Sequence, residues 1–177
     1  MNDKHPHQWP HRHPHSEIEK RVDLAHQRSA GVPLNSELRL TLLVKHNAWL
    51  LSDLLSRTVE PFGISGVAYV AMMTLQSTPE NLANPSDLCT ATGETRSNMT
   101  RITDELAAKG LIRRVANEAD RRRVDLSLTE EGMQLLRQVV PVLREKIDAV
   151  FAVFTDETKA AFEGELIRLK QVLEAQY

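Results

Sequence analysis

The sequence predicts a mainly α-helical protein with a single small β-hairpin, in which long helices flank a central helix-turn-helix that runs into the hairpin. Three observations predict it. Apolar residues recur at spacings of three and four over most of the chain, the period of amphipathic helices. Two short helical stretches are broken by a turn containing Gly93. Between Leu111 and Leu128 the helical period gives way to alternation, the mark of a half-buried strand.

A chain of 177 residues suffices for one domain with a core, or for a small domain plus an association layer. Its 41% hydrophobic and 26% charged content is that of an ordinary soluble protein. No apolar run approaches the ~18 residues of a membrane span, and no signal-type segment opens the chain. The expectation is a cytoplasmic protein that does not meet the membrane. One cysteine, Cys89, excludes an internal disulfide.

Residues 1–15 hold five of the seven histidines and three of the eight prolines, with almost nothing to bury. They read as a disordered tail. A metal-binding tract is the alternative, though a flexible segment lacks the fixed geometry of a selective site. An extra N-terminal helix follows over 16–33, with Ile18, Val22, Leu24 and Ala25 apolar and Gly31 and Pro33 at its end. A longer helix, from about Ser36 to Glu60, carries Leu40, Leu43, Val44, Ala48, Leu51, Leu54, Leu55 and Val59 as its stripe. Pro61 and Gly63 stop it. The stretch Ser65 to Gln76 is apolar nearly all round and predicts a buried helix.

Asn84-Pro85-Ser86-Asp87 predicts a capped helix start: Asn84 as N-cap, Pro85 in the first helical position, Asp87 in the positive first turn. Gly93 ends that short helix. Thr95 caps the next, which runs to Lys109-Gly110, a cationic last turn and its glycine stop. Residues 111–115 and Val124–Leu128 form the hairpin arms, Val124, Leu126 and Leu128 alternating with Asp125 and Ser127 as the buried side of a half-buried strand. Thr129 caps a long helix with Glu130 and Glu131 in its first turn, and Pro141 predicts a kink in it. Thr155-Asp156 opens a last helix carrying Phe162, Leu166, Leu169 and Leu173. The long helices hold more apolar surface than the small central module can cover, which predicts a homodimer.

Charge is unevenly placed. Residues 95–123 contain eight Lys/Arg and four Asp/Glu, a local balance of +4 in a chain of net −2, which leaves −6 elsewhere. An acidic chain with one basic stretch has the footprint of a surface that meets phosphate. On the second helix of a helix-turn-helix, Arg96, Ser97, Asn98, Thr100 and Arg101 are placed to reach base edges in the major groove, while Met99, Ile102 and Leu106 face inward. Arg121, Arg122 and Arg123 at the hairpin end suit the minor groove. No nucleophile–base–acid set and no phosphate-cradling glycine loop appears, so no enzyme and no cofactor is expected. Asp104, Glu105, Glu130 and Glu131 are better explained as helix-end or solvated charges.

Residues from about 36 to 175 resemble the MarR family of dimeric winged-helix regulators. The resemblance is carried by SNMTRITDELAAKGLIRR, by Asp120-Arg121-Arg122, and by LSLTEEG. Asp120 and Arg122 match the family's Asp-x-Arg wing pattern, which implies a minor-groove arginine and an aspartate that supports the wing. Within the family the extra N-terminal helix and SNMTRITDEL look most like the multidrug-efflux repressors of the EmrR type. The implied organisation is a helical dimerisation region over 34–62 and 133–177 and a winged helix-turn-helix domain over 63–132. The implied function is a repressor that releases a pseudo-palindromic operator when a small aromatic or phenolic compound binds between these regions. Candidate effector residues are His46, Trp49, Asp53, Tyr69, Met72 and Met73, which a hydrophobic core explains equally well. Redox-sensing members use a cysteine in the first long helix. Cys89 lies elsewhere and reads better as a structural residue, leaving redox or metal sensing as the alternatives.

Overall fold

Helix caps decide most of the boundaries in this chain. The computed structural model describes residues 15–32, 35–116 and 124–176. It divides into two units, Met1–Leu54 and Leu55–Tyr177. The predicted tail and the wing residues Asp120, Arg121, Arg122 and Arg123 lie outside the described residues, apart from His15 at the end of the tail.

In the first unit, α1 spans His15–Ala30 and α2 begins at Ser36, running to Val59 in the second unit. Asn35 supplies the start signal, its Oδ1 accepting from the Leu38 N–H at 3.0 Å. Thr41, Asn47 and Ser52 each donate to the carbonyl four residues back at 2.9 Å, so these polar groups are satisfied on their own helix. The apolar stripe is present but open: Leu40, Leu43, Val44 and Leu51 are all exposed.

The second unit opens with the last turn of α2 and a 3-10 turn at Glu60–Phe62. Helix α3 (Gly66–Ser77) follows, with the Ser65 hydroxyl accepting from the Ala68 N–H at 3.1 Å. Its Ala68, Ala71, Met72 and Leu75 are buried, in keeping with its all-round apolar sequence. A second 3-10 turn, Pro79–Asn81, leads into β1 (Leu82–Ala83), a strand the sequence pattern does not announce. Helix α4 (Pro85–Thr92) starts with a full capping box: Asn84 Oδ1 accepts from the N–H groups of Ser86 and Asp87 at 2.8 and 3.1 Å, and Asp87 accepts from the Asn84 N–H at 3.3 Å. Gly93, at φ +71°, ends it in a conformation that a side chain strains.

Helix α5 (Arg96–Ala108) is capped by Thr95, and β2 (Ile112–Ala116) and β3 (Val124–Leu128) follow. The strands form an antiparallel sheet in the order β1-β3-β2, with Ala83 opposite Leu126 on one side and Ile112 opposite Leu128 on the other. The hairpin is thus part of a three-stranded sheet. Its alternation also departs from the expected one: Ser127 is buried as well as Leu126 and Leu128, while Val124 is exposed. The reason is the third strand. Ser127 pairs with Leu82 on one side and Arg113 on the other, so it lies in the middle of the sheet with a strand at each edge.

Helix α6 (Glu130–Phe151) runs through Pro141 as one helix, and α7 (Asp156–Glu174) closes the fold, both with threonine caps. The start of α6 is seated tightly. The Thr129 hydroxyl donates to the carbonyls of Gly110 and Leu111 at 2.7 and 2.9 Å, and a Cβ on Gly132 would stand 2.2 Å from the Leu111 oxygen. Only glycine allows that approach.

The core of this unit gathers Val59, Met72, Leu75, Leu88, Met99, Leu106, Leu126, Leu136 and Val139, each essentially inaccessible. Burying a side chain of this size contributes about 1.5–3 kcal/mol relative to exposure. No residue of α7 is buried, and its Phe162, Leu166, Leu169 and Leu173 are exposed.

Candidate nucleic-acid interface

Helices α4 and α5, joined across Gly93–Thr95, form the helix-turn-helix. The sequence of α5 sorts its residues cleanly by face: Met99, Ile102 and Leu106 are buried at 0, 3 and 1% exposure and join the core. Arg96, Ser97, Thr100 and Arg101 are exposed and Asn98 is half-buried. All five candidate base-reading residues therefore sit on the outer side or its edge. Thr103 is buried too, its hydroxyl donating to the Thr100 carbonyl at 3.0 Å, which removes the cost of an unsatisfied group. The hydroxyl of Thr100 bonds back to the Arg96 carbonyl at 2.9 Å, and those of Thr95 and Ser97 meet at 3.2 Å.

Along one edge of α5 runs a ladder of polar contacts. The Glu94 carboxylate accepts from Asn98 Nδ2 at 2.7 Å, and Asn98 Oδ1 accepts from Arg101 Nε and Nη2 at 3.3 and 3.1 Å. Arg101 Nη1 lies 3.7 Å from Glu105, which in turn accepts from Lys109 Nζ at 2.7 Å. Lys109 also donates to the Gly63 carbonyl at 2.6 Å, tying the end of α5 to the turn before α3. The Lys109 hydrogen bond, with the charges of Lys109 and Arg101 adding to it, holds the Glu105 carboxyl below the usual glutamate value. A second tie joins Asp104 to Arg114, fixing α5 against β2.

These ties change the charge picture. Asp104 and Glu105, two of the four acids in the basic stretch, are engaged by Arg114 and Lys109, so the exposed turn is led by Arg96 and Arg101. Glu94 and Arg114 are not singled out by sequence, and Lys109 only as the cationic last turn of its helix. The spacing of four between Glu94 and Asn98, and between Glu105 and Lys109, was the available signal. The Lys109–Gly63 and Asp104–Arg114 contacts depend on the fold and left none.

The wing is rooted where Ala116 pairs with Val124. The other candidates separate. His46 and Trp49 stack on α2 with centroids 5.7 Å apart, and Asp53 lies one turn further along the same helix. Tyr69, Met72 and Met73 belong to α3 of the other unit. Met72 is wholly buried in the core, whereas Tyr69 and Met73 are half-buried, and burial raises the Tyr69 hydroxyl above its usual pKa. Cys89 is half-buried against the same core. Among the described residues no cluster of His, Cys, Asp or Glu could hold a metal ion, and no single helix is long and apolar enough to cross a membrane.

Comparison with known proteins agrees with this geometry. The sequence profile of the MarR family matches residues 62–123, from the turn before α3 through the wing. The transcriptional repressor MprA of Escherichia coli (strain K12) is 36% identical over 124 residues, 70% of either chain. Among solved structures, the MarR family transcriptional regulator Sco3205 from Streptomyces coelicolor, in complex with DNA, superposes with a TM-score of 0.68 at 28% identity, covering 78% of this chain and 88% of its own. AbsC, a MarR family regulator from the same organism, shares the fold with a TM-score of 0.71 at 24% identity over 80% of this chain and 97% of its own. With its capped helix-turn-helix and the hairpin set in a three-stranded sheet, the chain belongs to the MarR family of winged helix-turn-helix, DNA-binding transcriptional regulators, and is not an enzyme.

Proposed function

We propose that this regulator is a dimeric repressor that occupies a pseudo-palindromic operator and releases it when a small aromatic or phenolic compound binds. The observation that carries the DNA reading is the split of α5 into a fully buried apolar face and an exposed face bearing Arg96, Ser97, Thr100 and Arg101 with Asn98 at its edge. Arginine pairs with guanine O6 and N7, asparagine with adenine, and serine or threonine with base or phosphate. Arg121, Arg122 and Arg123 supply the minor-groove contacts, with Asp120 supporting the wing. The exposed apolar residues of α2 and α7 support a second copy of the chain as partner, since surface of that extent is seldom left to water. Two copies related by a two-fold axis would then place two α5 helices in successive major grooves.

The effector candidates are the stacked His46–Trp49 pair with Asp53 on α2 and, separately, Tyr69 and Met73 on α3. Met72 is already committed to the core. A compound that binds one spacing of the two recognition helices better than the other shifts the population away from the DNA-binding form.

The test begins with duplexes enriched by the wild-type protein from a randomised pool. Arg101→Ala and Arg122→Ala should each weaken binding to the enriched duplex by roughly 5- to 100-fold, and wild-type affinity should fall steeply with added salt. Wild-type affinity in both variants would remove the recognition-helix and wing assignments.

A further inference from the structure

Asn98 lies between two fixed charges of opposite sign, the Glu94 carboxylate on its amide nitrogen and the Arg101 guanidinium on its amide oxygen. A carboxylate only accepts hydrogen bonds and a guanidinium only donates them. The amide therefore has a single polarity here. Turned end for end, it would set oxygen against carboxylate and NH2 against guanidinium, losing every one of these contacts. With its oxygen engaged by Arg101, what the group still offers is donors: the second Nδ2 hydrogen and the remaining N–H groups of Arg101.

We propose that Glu94 is a specificity-setting positioning residue that makes Asn98 and Arg101 a donor-only reading head, matched to guanine. The major-groove edge of guanine presents two acceptors, N7 and O6, whereas adenine adds an N6 donor and cytosine presents an N4 donor. A head locked as donor is attracted to the first and meets a donor on the others. Asparagine released from that lock can turn and satisfy adenine, its more usual partner. The inference rests on α5 as the base-reading helix and adds a residue just ahead of the helix N-cap whose carboxylate accepts from Asn98.

The rest of the ladder continues behind the head. Arg101 is backed by Glu105, and Glu105 by Lys109, which is bonded to the Gly63 carbonyl at 2.6 Å. Glu94 has little structural role of its own to confuse the test. Its side chain is half-buried, and the Glu94 N–H that bonds Thr92 Oγ1 at 3.3 Å belongs to the backbone, so substitution leaves it in place.

The experiment selects duplexes from a randomised pool with the full-length wild-type protein, with Glu94→Ala and with Glu94→Gln, and compares base frequencies position by position. Thermal melting confirms that each variant is folded. Wild type should enrich guanine at one position of each half-site. Glu94→Ala should lower the guanine-over-adenine preference there by roughly tenfold while other positions keep theirs. Glu94→Gln, which retains an oxygen to accept from Asn98 Nδ2, should keep most of the preference. If instead Glu94 acts only as a negative charge near phosphate, both variants will tighten binding to all duplexes alike with an unchanged base profile, and the proposal is overturned. A Glu94→Ala profile identical to wild type overturns it as well. Failure of the underlying reading looks different: wild type enriches no sequence, or Arg101→Ala binds the enriched duplex as well as wild type does.

Discussion

Helix α5 and helix α7 are both amphipathic, yet they meet opposite fates. Met99, Ile102 and Leu106 on α5 are buried within the chain, whereas Phe162, Leu166, Leu169 and Leu173 on α7 remain exposed at 40 to 53%. The two helices differ in what surrounds them in sequence. α5 is bracketed by short elements with tight turns, so α3, α4 and the sheet reach its apolar side. α7 follows the long helix α6, and none of its residues is buried among the described elements. An apolar stripe states that something must cover it, and only the neighbouring chain segments decide whether the cover is internal.

This contrast can be broken in four ways, in descending order of effect. Leu106→Ala removes a fully buried side chain from a closed core and should cost about 2–5 kcal/mol in chemical denaturation. A cost below that of an exposed leucine would mean that α5 is not packed as described. Gly132→Ala forces a methyl towards the Leu111 carbonyl 2.2 Å away, so the seat of α6 must shift. Overpacking of this kind should lower stability by about 1–3 kcal/mol, read as a reduced thermal midpoint.

Leu166→Ala acts on the other region. Its effect on folding within a chain should be small, about 0.5 kcal/mol or less. Sedimentation velocity should instead show monomer persisting to higher protein concentration than in wild type. A variant that unfolds like Leu106→Ala but keeps its oligomeric state would reverse the contrast between the helices.

The smallest expected effect concerns Glu105. Its folded pKa lies below the unfolded value because Lys109 hydrogen-bonds the carboxylate. The stability it contributes is therefore present above the ordinary glutamate pKa and is lost as pH falls through the lower, folded value. Glu105 is about half exposed, so solvent screens the pair and the gain is slight. Glu105→Gln should reduce the acid sensitivity of unfolding in that range while leaving stability near pH 7 almost unchanged, which denaturation curves at the two pH values would check.

Much of the winged unit is legible in the chain because its signals are short-range. Asn84-Pro85 with Asp87, Thr95, Thr129 and Thr155 each announce a helix start within three residues, and all four caps form as their spacing predicts. The inward set Met99, Ile102 and Leu106 follows from periodicity alone, and the outward arginines follow from it by subtraction. β1 has no such signal. Two residues, Leu82 and Ala83, are too few for a period, and they become a strand only because β3 offers an edge. The burial of Ser127 follows from the same event, since alternation in β3 cannot foresee which neighbours its side chains will have.

The same division holds at the exposed face of α5. By itself the sequence determined which residues α5 exposes, because a helix of 3.6 residues per turn with three apolar anchors has one polar side left over. The spacing of four also sets Glu94 and Asn98, and Glu105 and Lys109, one turn apart, although the bonds between them are seen only in the structure. Only the tertiary structure decided that Lys109 reaches Gly63, 46 residues away, and that Arg114 holds Asp104. Those contacts need two distant stretches of backbone brought within a few ångströms, and it is the burial of the common core, not any local preference, that brings them there.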